Sequence, residues 1–339
     1  MSLLAAVTLF CVSAVAILFA GTRLVLIADR LAARTGFGRA LLGGVLLGAC
    51  TSLSGTVTSF TAAWTGHPGL AVSNAVGGIA VQTLFLAIAD LTYRKANLEH
   101  AAASEENLLQ AGLLILLLSL PMAAALAPEV TLYRVHPITP LILFVYILGL
   151  RRSVALRLQP MWRPRQTEDT KDDRPKAQTQ EDTSTRVMLL SFILFASLLA
   201  VAGWATAKSG LSIVESTGFS ESFVGAALTA TATSLPELVT TLAAVRRGAL
   251  ALAVGGIVGG NTFDVLFLVV GDLAYRDGSL YHAVGAAELL LFPWSIIMTA
   301  ILLIGLIARQ RKGLARIGFE GVALIATYVL GLVLQIVMH

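Results

Sequence analysis

The chain has 339 residues, 56% of them hydrophobic and only 13% charged, with a mean hydropathy of +0.81 and a formal net charge of +4. That balance excludes a soluble globular domain and points to repeated apolar runs of about 20 residues, the mark of a polytopic helical membrane protein. Cys11 and Cys50 both lie in apolar stretches, which excludes a disulfide framework or a metal-thiolate centre. There is no nucleotide-binding glycine loop, zinc spacing or hydrolase nucleophile turn, so no enzyme activity, resident cofactor or nucleic-acid partner is expected.

The first apolar run extends from Leu3 to Ile27. No Lys or Arg precedes it, whereas Arg23, Arg30 and Arg34 follow; a signal peptide carries its positive charge in front. A retained first helix with the N-terminus outside is therefore expected. Further spans read at 39–64, 69–91, 107–127 and 137–150. Arg151 to Arg186 is polar, and its core, PRQTEDTKDDRPKAQTQEDTSTR, reads as a mobile linker. Spans resume at 187–206, 219–245, 250–272, 284–308 and 317–338. The fold class expected is thus all-α, with ten transmembrane helices in three segments: 1–150, a cytoplasmic linker 151–186, and 187–339. With that topology about twenty of the 24 Lys and Arg fall on the inner side, as the positive-inside rule requires of a plasma (inner) membrane protein. His67, His100, His136 and His282 lie in or beside predicted loops, where solvation is expected. Asp90, Asp272 and Glu288 are placed near an interface.

One span differs from the others. ATSLPELVTTLAAVRRG carries Pro236 and Glu237 in the middle of apolar sequence. Proline breaks the helix and frees carbonyls, which membranes tolerate only against protein or a water-filled cavity. An acid at that depth costs roughly 2.5–3.5 kcal/mol on insertion scales, which makes it a functional-site hypothesis. The competing reading is a kinked helix whose glutamate snorkels to an interface. Thr229, Thr233, Glu237 and Thr241 recur every four residues and share one helical face. Gly256, Gly260 and Asp264 share a face of the next helix, matched by Asn74, Gly78 and Gln82 in the first half. Glycines at this spacing let helices approach closely and bring Asp264 towards Glu237.

The two halves align without a gap at an offset of 182 positions. Thr35-Gly36-Phe37 matches Thr217-Gly218-Phe219, Thr51-Ser52-Leu53 matches Thr233-Ser234-Leu235, and Asp90 matches Asp272. Five spans, an odd number, separate the copies, so they are expected upside down relative to each other, as in many secondary transporters.

TSLPELVTTLAAVRRG followed by LAVGGIVGGNTFDVLFLVVGD resembles the second alpha-repeat of the calcium/cation antiporter superfamily, the sodium/calcium exchanger type. TSLSGTVTSFTAAWTG with LAVSNAVGGIAVQTLFLAIAD is similar to a degenerate first repeat. The resemblance implies exchange of Ca2+ or a related cation for H+ or Na+. It implies Glu237 as the principal cation ligand and Asp264 as an acidic ligand from the following helix. Thr233 and Ser234 would add carbonyl or hydroxyl oxygens, as would Thr51, Ser52 and Gln82 in the first half. Of the family's Gly-Ser-Asn triplet, Asn261 remains in the second copy. The chain departs from the family where Pro-Glu becomes Ser54-Gly55, and both triplet serines are absent.

Two acids can neutralise one divalent ion, whose shell of about six to eight oxygens would be filled by hydroxyls, carbonyls, Gln82 and water. They leave little charge for several Na+ ions. Two carboxylates in one dehydrated site also resist being ionised together, which makes H+ a natural counter-ion. Two alternatives stand beside the antiporter: a same-fold transporter of another substrate, since Gly55 in place of glutamate removes charge and is expected to enlarge the cavity, and a non-transporting sensor or structural relative. The lipid bilayer and inorganic cations are the expected partners, with oligomeric state open.

Overall fold

The computed structural model describes residues 1–35, 48–93, 97–159, 161–162, 165, 184–310 and 318–338. Within them it is helical, apart from turns and one isolated bridge between Leu132 and Val135. The core of the linker, and Gly36, Phe37, Arg39, Arg94, Lys95, Arg311, Lys312 and Arg316, lie outside the described residues. In chain order the helices are α1 (Leu3–Thr35), α2 (Leu53–Trp64), α3 (Pro68–Thr92), α4 (Leu98–Ala102), α5 (Glu105–Leu126), α6 (Ile138–Leu158) and α7 (Thr185–Thr217). Then come α8 (Glu221–Phe223), a π-helical stretch Val224–Thr229, α9 (Ala230–Thr233), α10 (Leu235–Arg247), α11 (Leu250–Asp264), α12 (Leu266–Ala274), α13 (Ala286–Ala308) and α14 (Phe319–Val337).

Among the described residues seven stretches are long and apolar enough to cross a membrane: Leu3–Leu31, Pro68–Thr92, Glu105–Leu126, Thr185–Thr217, Leu250–Ala274, Ala286–Ala308 and Phe319–Val337. The other three expected spans take different forms. The one at 39–64 breaks at Ser52, and the one at 219–245 passes through the π-helical stretch and breaks at Ser234. The one at 137–150 becomes α6, which runs on to Leu158 and carries Arg151, Arg152 and Arg157 in its last turns.

α1 and α7 each have 33 residues. At 1.5 Å per residue that is roughly 50 Å, longer than the hydrocarbon core of about 30 Å, so both must tilt to cross it. They pair through Ile17, Ala20, Leu24, Leu199 and Ala202. Leu4, Val12, Val15, Leu190, Leu194 and Val201 face outward, where lipid is the solvent. Lys208, expected in a connection, lies inside α7 because that helix continues to Thr217.

α3 is apolar and buried on nearly every side, as a central helix must be. Its C-terminal Leu86 and Ala89 pack with Leu250 and Val254 at the start of α11. Its N-terminal Leu70 to Val76 pack in one cluster with Phe267, Leu268 and Ala274 of α12. α3 and the α11–α12 pair therefore run antiparallel and cross near their middles.

The two ends of that crossing are tied by matching devices. Asp90 accepts backbone hydrogen bonds from Leu98 at 2.7 Å and Gly318 at 3.4 Å. Asp272 accepts them from Leu280 at 3.0 Å and His136 at 2.9 Å. Each of these residue pairs is 182 positions apart. Both acids were expected in solvent; both are fully buried, because each receives the N–H groups of two incoming loops, and charge-assisted bonds of this kind are strong. Glu288 is also buried, and accepts from the Gly285 N–H at 2.9 Å at the start of α13. His100 and His136 are buried rather than solvated: His100 Nδ1 meets the Arg309 carbonyl at 2.7 Å, and His136 Nδ1 accepts from the Ile138 N–H at 3.1 Å.

Beside Asp90 stand Glu99 and Glu320, both fully buried, and no other described residue donates a hydrogen bond to their carboxylates. Burial first, then the neighbouring Asp90 and Glu320, holds the Glu99 carboxyl well above the ordinary carboxylate range. In the unfolded chain the same group ionises at about 4.3. The unfolded state thus loses its proton first, and stability falls as pH rises from the unfolded value towards the raised one. Glu99→Gln removes this penalty. Thermal unfolding in detergent at pH 5 and pH 8 should show a smaller loss of Tm for the variant than for the wild type, with the variant the more stable at pH 8.

Candidate ion-binding site

The site begins with two helix breaks. Ser52 (φ −86°, ψ 2°) ends the helix that is described from Gly48, and Ser234 (φ −96°, ψ 4°) separates α9 from α10. The backbone is the same in both, although a proline follows only the second break. Pro236 sits in the first turn of α10, where its missing N–H has no partner to lose. Its ring packs on α1 at Gly21, where an added Cβ would come within 2.9 Å of the proline Cβ. The break turns the N-terminus of α10 into the membrane interior and places Glu237 in its first turn, where the helix dipole favours negative charge.

Asp264 is the last residue of α11, before a turn at Val265. Ser52 Oγ donates to its Oδ1 at 2.5 Å, and Gln82 Nε2 of α3 donates to its Oδ2 at 2.6 Å. Gln82 Nε2 also reaches Ser234 Oγ at 3.2 Å. One second-half acid is thereby held by two first-half side chains. Gly78 and Gly260 face the same pair of side chains: a Cβ on Gly260 would stand 3.4 Å from Gln82 Oε1 and one on Gly78 3.7 Å from Ser234 Oγ, ordinary contacts that leave room for an alanine at either position.

Glu237 and Asp264 line one narrow internal cavity, together with Ser52, Gly55, Asn74, Gly78, Gln82, Thr233, Ser234 and Phe267. It has no room for a free water molecule. Both acids are buried, at 4% and 1% exposure. Of the residues that line the cavity, Glu237 and Gln82 each bring a buried acceptor, Oε2 and Oε1, that has no hydrogen-bond partner among the described residues. A buried acceptor without a donor is costly, and two of them on the wall of one cavity suit a proton or a cation between them.

Thr51 stands within reach of the Glu237 carboxylate and donates to the Gly48 carbonyl at 3.0 Å. Thr233 lines the cavity, but its hydroxyl donates to the Thr229 and Ala230 carbonyls. Asn261 is not brought to the cavity. Its amide donates to the Ile79 carbonyl at 3.3 Å and to Thr83 Oγ1 at 2.9 Å, which ties α11 to α3. Thr229 and Thr241 are buried but do not line the cavity. Thr229 instead donates to Asn74 Oδ1 at 2.9 Å, and Asn74 donates to the Gly55 carbonyl and Ser59. Gly55 was expected to enlarge the cavity. It does not, because the Phe267 ring takes the room: an added Cβ at Gly55 would meet it at 2.6 Å. A phenylalanine inside an apolar run carries no signal that could have marked it in advance.

Among the described residues, seven apolar helical stretches long enough to cross a membrane, packed around a buried pair of carboxylates, mark an integral membrane protein. The chain belongs to the sodium/calcium exchanger family: the family described as "Sodium/calcium exchanger protein" matches residues 5–151 and 187–337. The sodium/calcium exchanger MaX1 of Methanosarcina acetivorans is 31% identical over 145 residues, 43% of this chain and 39% of that relative's length. The inner membrane protein YrbG of Escherichia coli is 27% identical over 267 residues, 79% of each chain. The fold is also that of solved exchangers. The sodium-calcium exchanger NCX_Mj superposes with a TM-score of 0.61 at 18% identity, covering 98% of this chain and 99% of the other. The H+/Ca2+ exchanger CAX superposes at 0.71 and 12% identity, covering 98% and 86%.

Ser52→Ala removes one of two donors to Asp264 while leaving the helix break in place. If the cavity is the cation seat, apparent cation affinity in a reconstituted uptake assay should fall roughly 10–100-fold, as for outer-shell partners of metal ligands, with little change in Tm.

Proposed function

We propose that the protein is a secondary active antiporter that exchanges Ca2+ or a related cation for H+ or Na+ by alternating access, with Glu237 and Asp264 as the charged ligands. The observation that carries this reading is the tight cavity with two partnerless acceptors, Glu237 Oε2 and Gln82 Oε1, on its wall. A space too narrow for water suits an ion stripped of its hydration shell, bound by protein oxygens. Ser234, Ser52, Thr51 and the Thr233 backbone are within the same small region and can complete the shell. Asn261 serves the same site from behind, by fixing α11 on α3.

The architecture that goes with this reading is ten transmembrane helices in two inverted five-helix repeats, 1–150 and 187–339, joined by the linker 151–186. Three matched features support it: the antiparallel crossing of α3 and α11–α12, the identical backbone breaks at Ser52 and Ser234, and the Asp90 and Asp272 anchors at opposite ends. The arginine distribution supports an N-terminus outside and a cytoplasmic linker in a plasma (inner) membrane. α1 and α7 are the moving pair. They meet the broken helices through small residues, Gly21 against Pro236, Gly203 against the Ser54 backbone and Gly210 against Thr229. Contacts of this kind leave few interlocking side chains to resist sliding.

The counter-ion follows from charge. Both oxygens of Asp264 already accept hydrogen bonds, and Glu237 brings the one free carboxylate oxygen. Two negative charges balance one divalent cation, or the protons that replace it, better than a set of Na+ ions. The missing acid at Gly55 also favours a second reading, a transporter of the same fold with another substrate.

A flux screen in proteoliposomes over Ca2+, Mg2+, Mn2+, Na+ and K+, with and without a pH gradient, tests the proposal. Wild-type uptake of a divalent cation should follow the pH gradient, and Glu237→Gln should lower it at least about 100-fold. Normal transport by Glu237→Gln removes the proposed site. Flux that follows a Na+ gradient and ignores pH reverses the choice of counter-ion, and no flux of any ion favours a sensor or structural relative.

A further inference from the structure

Gly55 and Phe267 are in contact on the wall of the cavity, and both line it. Gly55 occupies the first-half position that corresponds to Glu237, 182 residues on. An added Cβ on Gly55 would lie 2.6 Å from Cε2 and 3.0 Å from Cζ of the Phe267 ring, closer than carbon atoms approach without something moving. The ring has little freedom to move. Phe267 is 3% exposed and belongs to the same packed cluster as Ala62, Ala63 and Leu268, and such cores resist even small changes of volume. The ring therefore stands where a side chain from position 55 would project.

We propose that Phe267 is a specificity-determining residue of the transport site: its ring fills the room opposite Glu237, so the cavity seats a single bare cation among Glu237, Asp264 and Gln82 and admits no second ion beside it. This rests on the reading of that cavity as the cation seat. The loss of one acid and the presence of an aromatic wall then form one adaptation. Removing the carboxylate alone would leave a polar void for water or a further cation; the ring closes it with an apolar face that offers no ligand. Selectivity follows from exclusion, since an ion that requires a co-bound partner finds no place for one. The alternative is a phenylalanine that only packs the core.

The test is a four-member series in proteoliposomes: wild type, Phe267→Ala, Gly55→Glu, and the double variant, each assayed for divalent-cation uptake and for competition by Na+. Gly55→Glu alone should lose uptake, because its side chain collides with the ring. The double variant should regain roughly tenfold over that single change, the coupling expected of residues in contact, and its Na+ competition should become sigmoidal. Phe267→Ala should make Na+ a stronger competitor by about tenfold, a change of selectivity that a packing role does not produce. Phe267→Leu keeps an apolar core side chain with a smaller cross-section. It should move Na+ competition in the same direction, which keeps the proposal open to refutation if the alanine variants do not fold. Wild-type-like transport by Gly55→Glu, no recovery in the double variant, or unchanged Na+ competition in both Phe267→Ala and Phe267→Leu overturns it. Glu237→Gln in parallel separates the two levels. If that variant transports normally, the site reading fails; if it is inactive while the Phe267 series is silent, only the role of Phe267 fails.

Discussion

The structure depends on holding two carboxylates in a place with almost no water. Asp264 is kept there by donors from the other half of the chain, Ser52 at 2.5 Å and Gln82 at 2.6 Å. Leaving a buried charge without partners costs several kcal/mol, so these two bonds are what make the acid tolerable at this depth. They also fix where α3 and α11 must cross, and that crossing determines the position of every helix packed around it.

The halves share a backbone and differ in chemistry. Ser52 and Ser234 break their helices in the same conformation, and Asp90 and Asp272 tie down equivalent loops at opposite ends. At the centre the matched positions diverge: Gly55 against Glu237, Gln82 against Asp264, Ile79 against Asn261. The second half supplies charge and the first supplies hydrogen-bond donors. An inverted pair with two equal acidic sets would repel itself at the crossing; here the amide of Gln82 meets the carboxylate of Asp264 instead. The price of the asymmetry is a site with less charge than two full copies would give, and the apolar ring of Phe267 matches that reduction.

The proposed function divides binding and movement between different helices. α3 and α11, buried on most sides, carry the donors and one acid and have little freedom. α1 and α7 are long and largely lipid-facing, and touch the broken helices both through glycines and through the apolar cluster of Ile17, Leu24 and Leu199 with Cys50 and Leu53. A transporter must change the exposure of its ion without dismantling the ligands, and on the proposed reading the central helices hold the ion while the outer pair moves.

The membrane class, the internal repeat and the approach of Glu237 and Asp264 to one another were all legible in the sequence. Apolar runs, a constant offset and isolated acids are properties of the chain itself, and a charge in apolar surroundings is costly wherever it is placed. Other features were decided only by the tertiary structure. The break at Ser52 has no proline to announce it. Asn261 turned away from the cavity, Asp90 and Asp272 were drawn into the interior by loop N–H groups that include Gly318 and His136 from remote segments, and Glu288 by the N–H of nearby Gly285. Phe267 closed a space that the loss of an acid at Gly55 was expected to open. Each of these outcomes depends on which atoms of a remote segment stand opposite, and a single apolar or polar letter has no record of its partner. Composition and periodicity therefore determined what had to be buried, while the crossing of α3 with α11 and α12 decided which buried groups meet and which are kept apart.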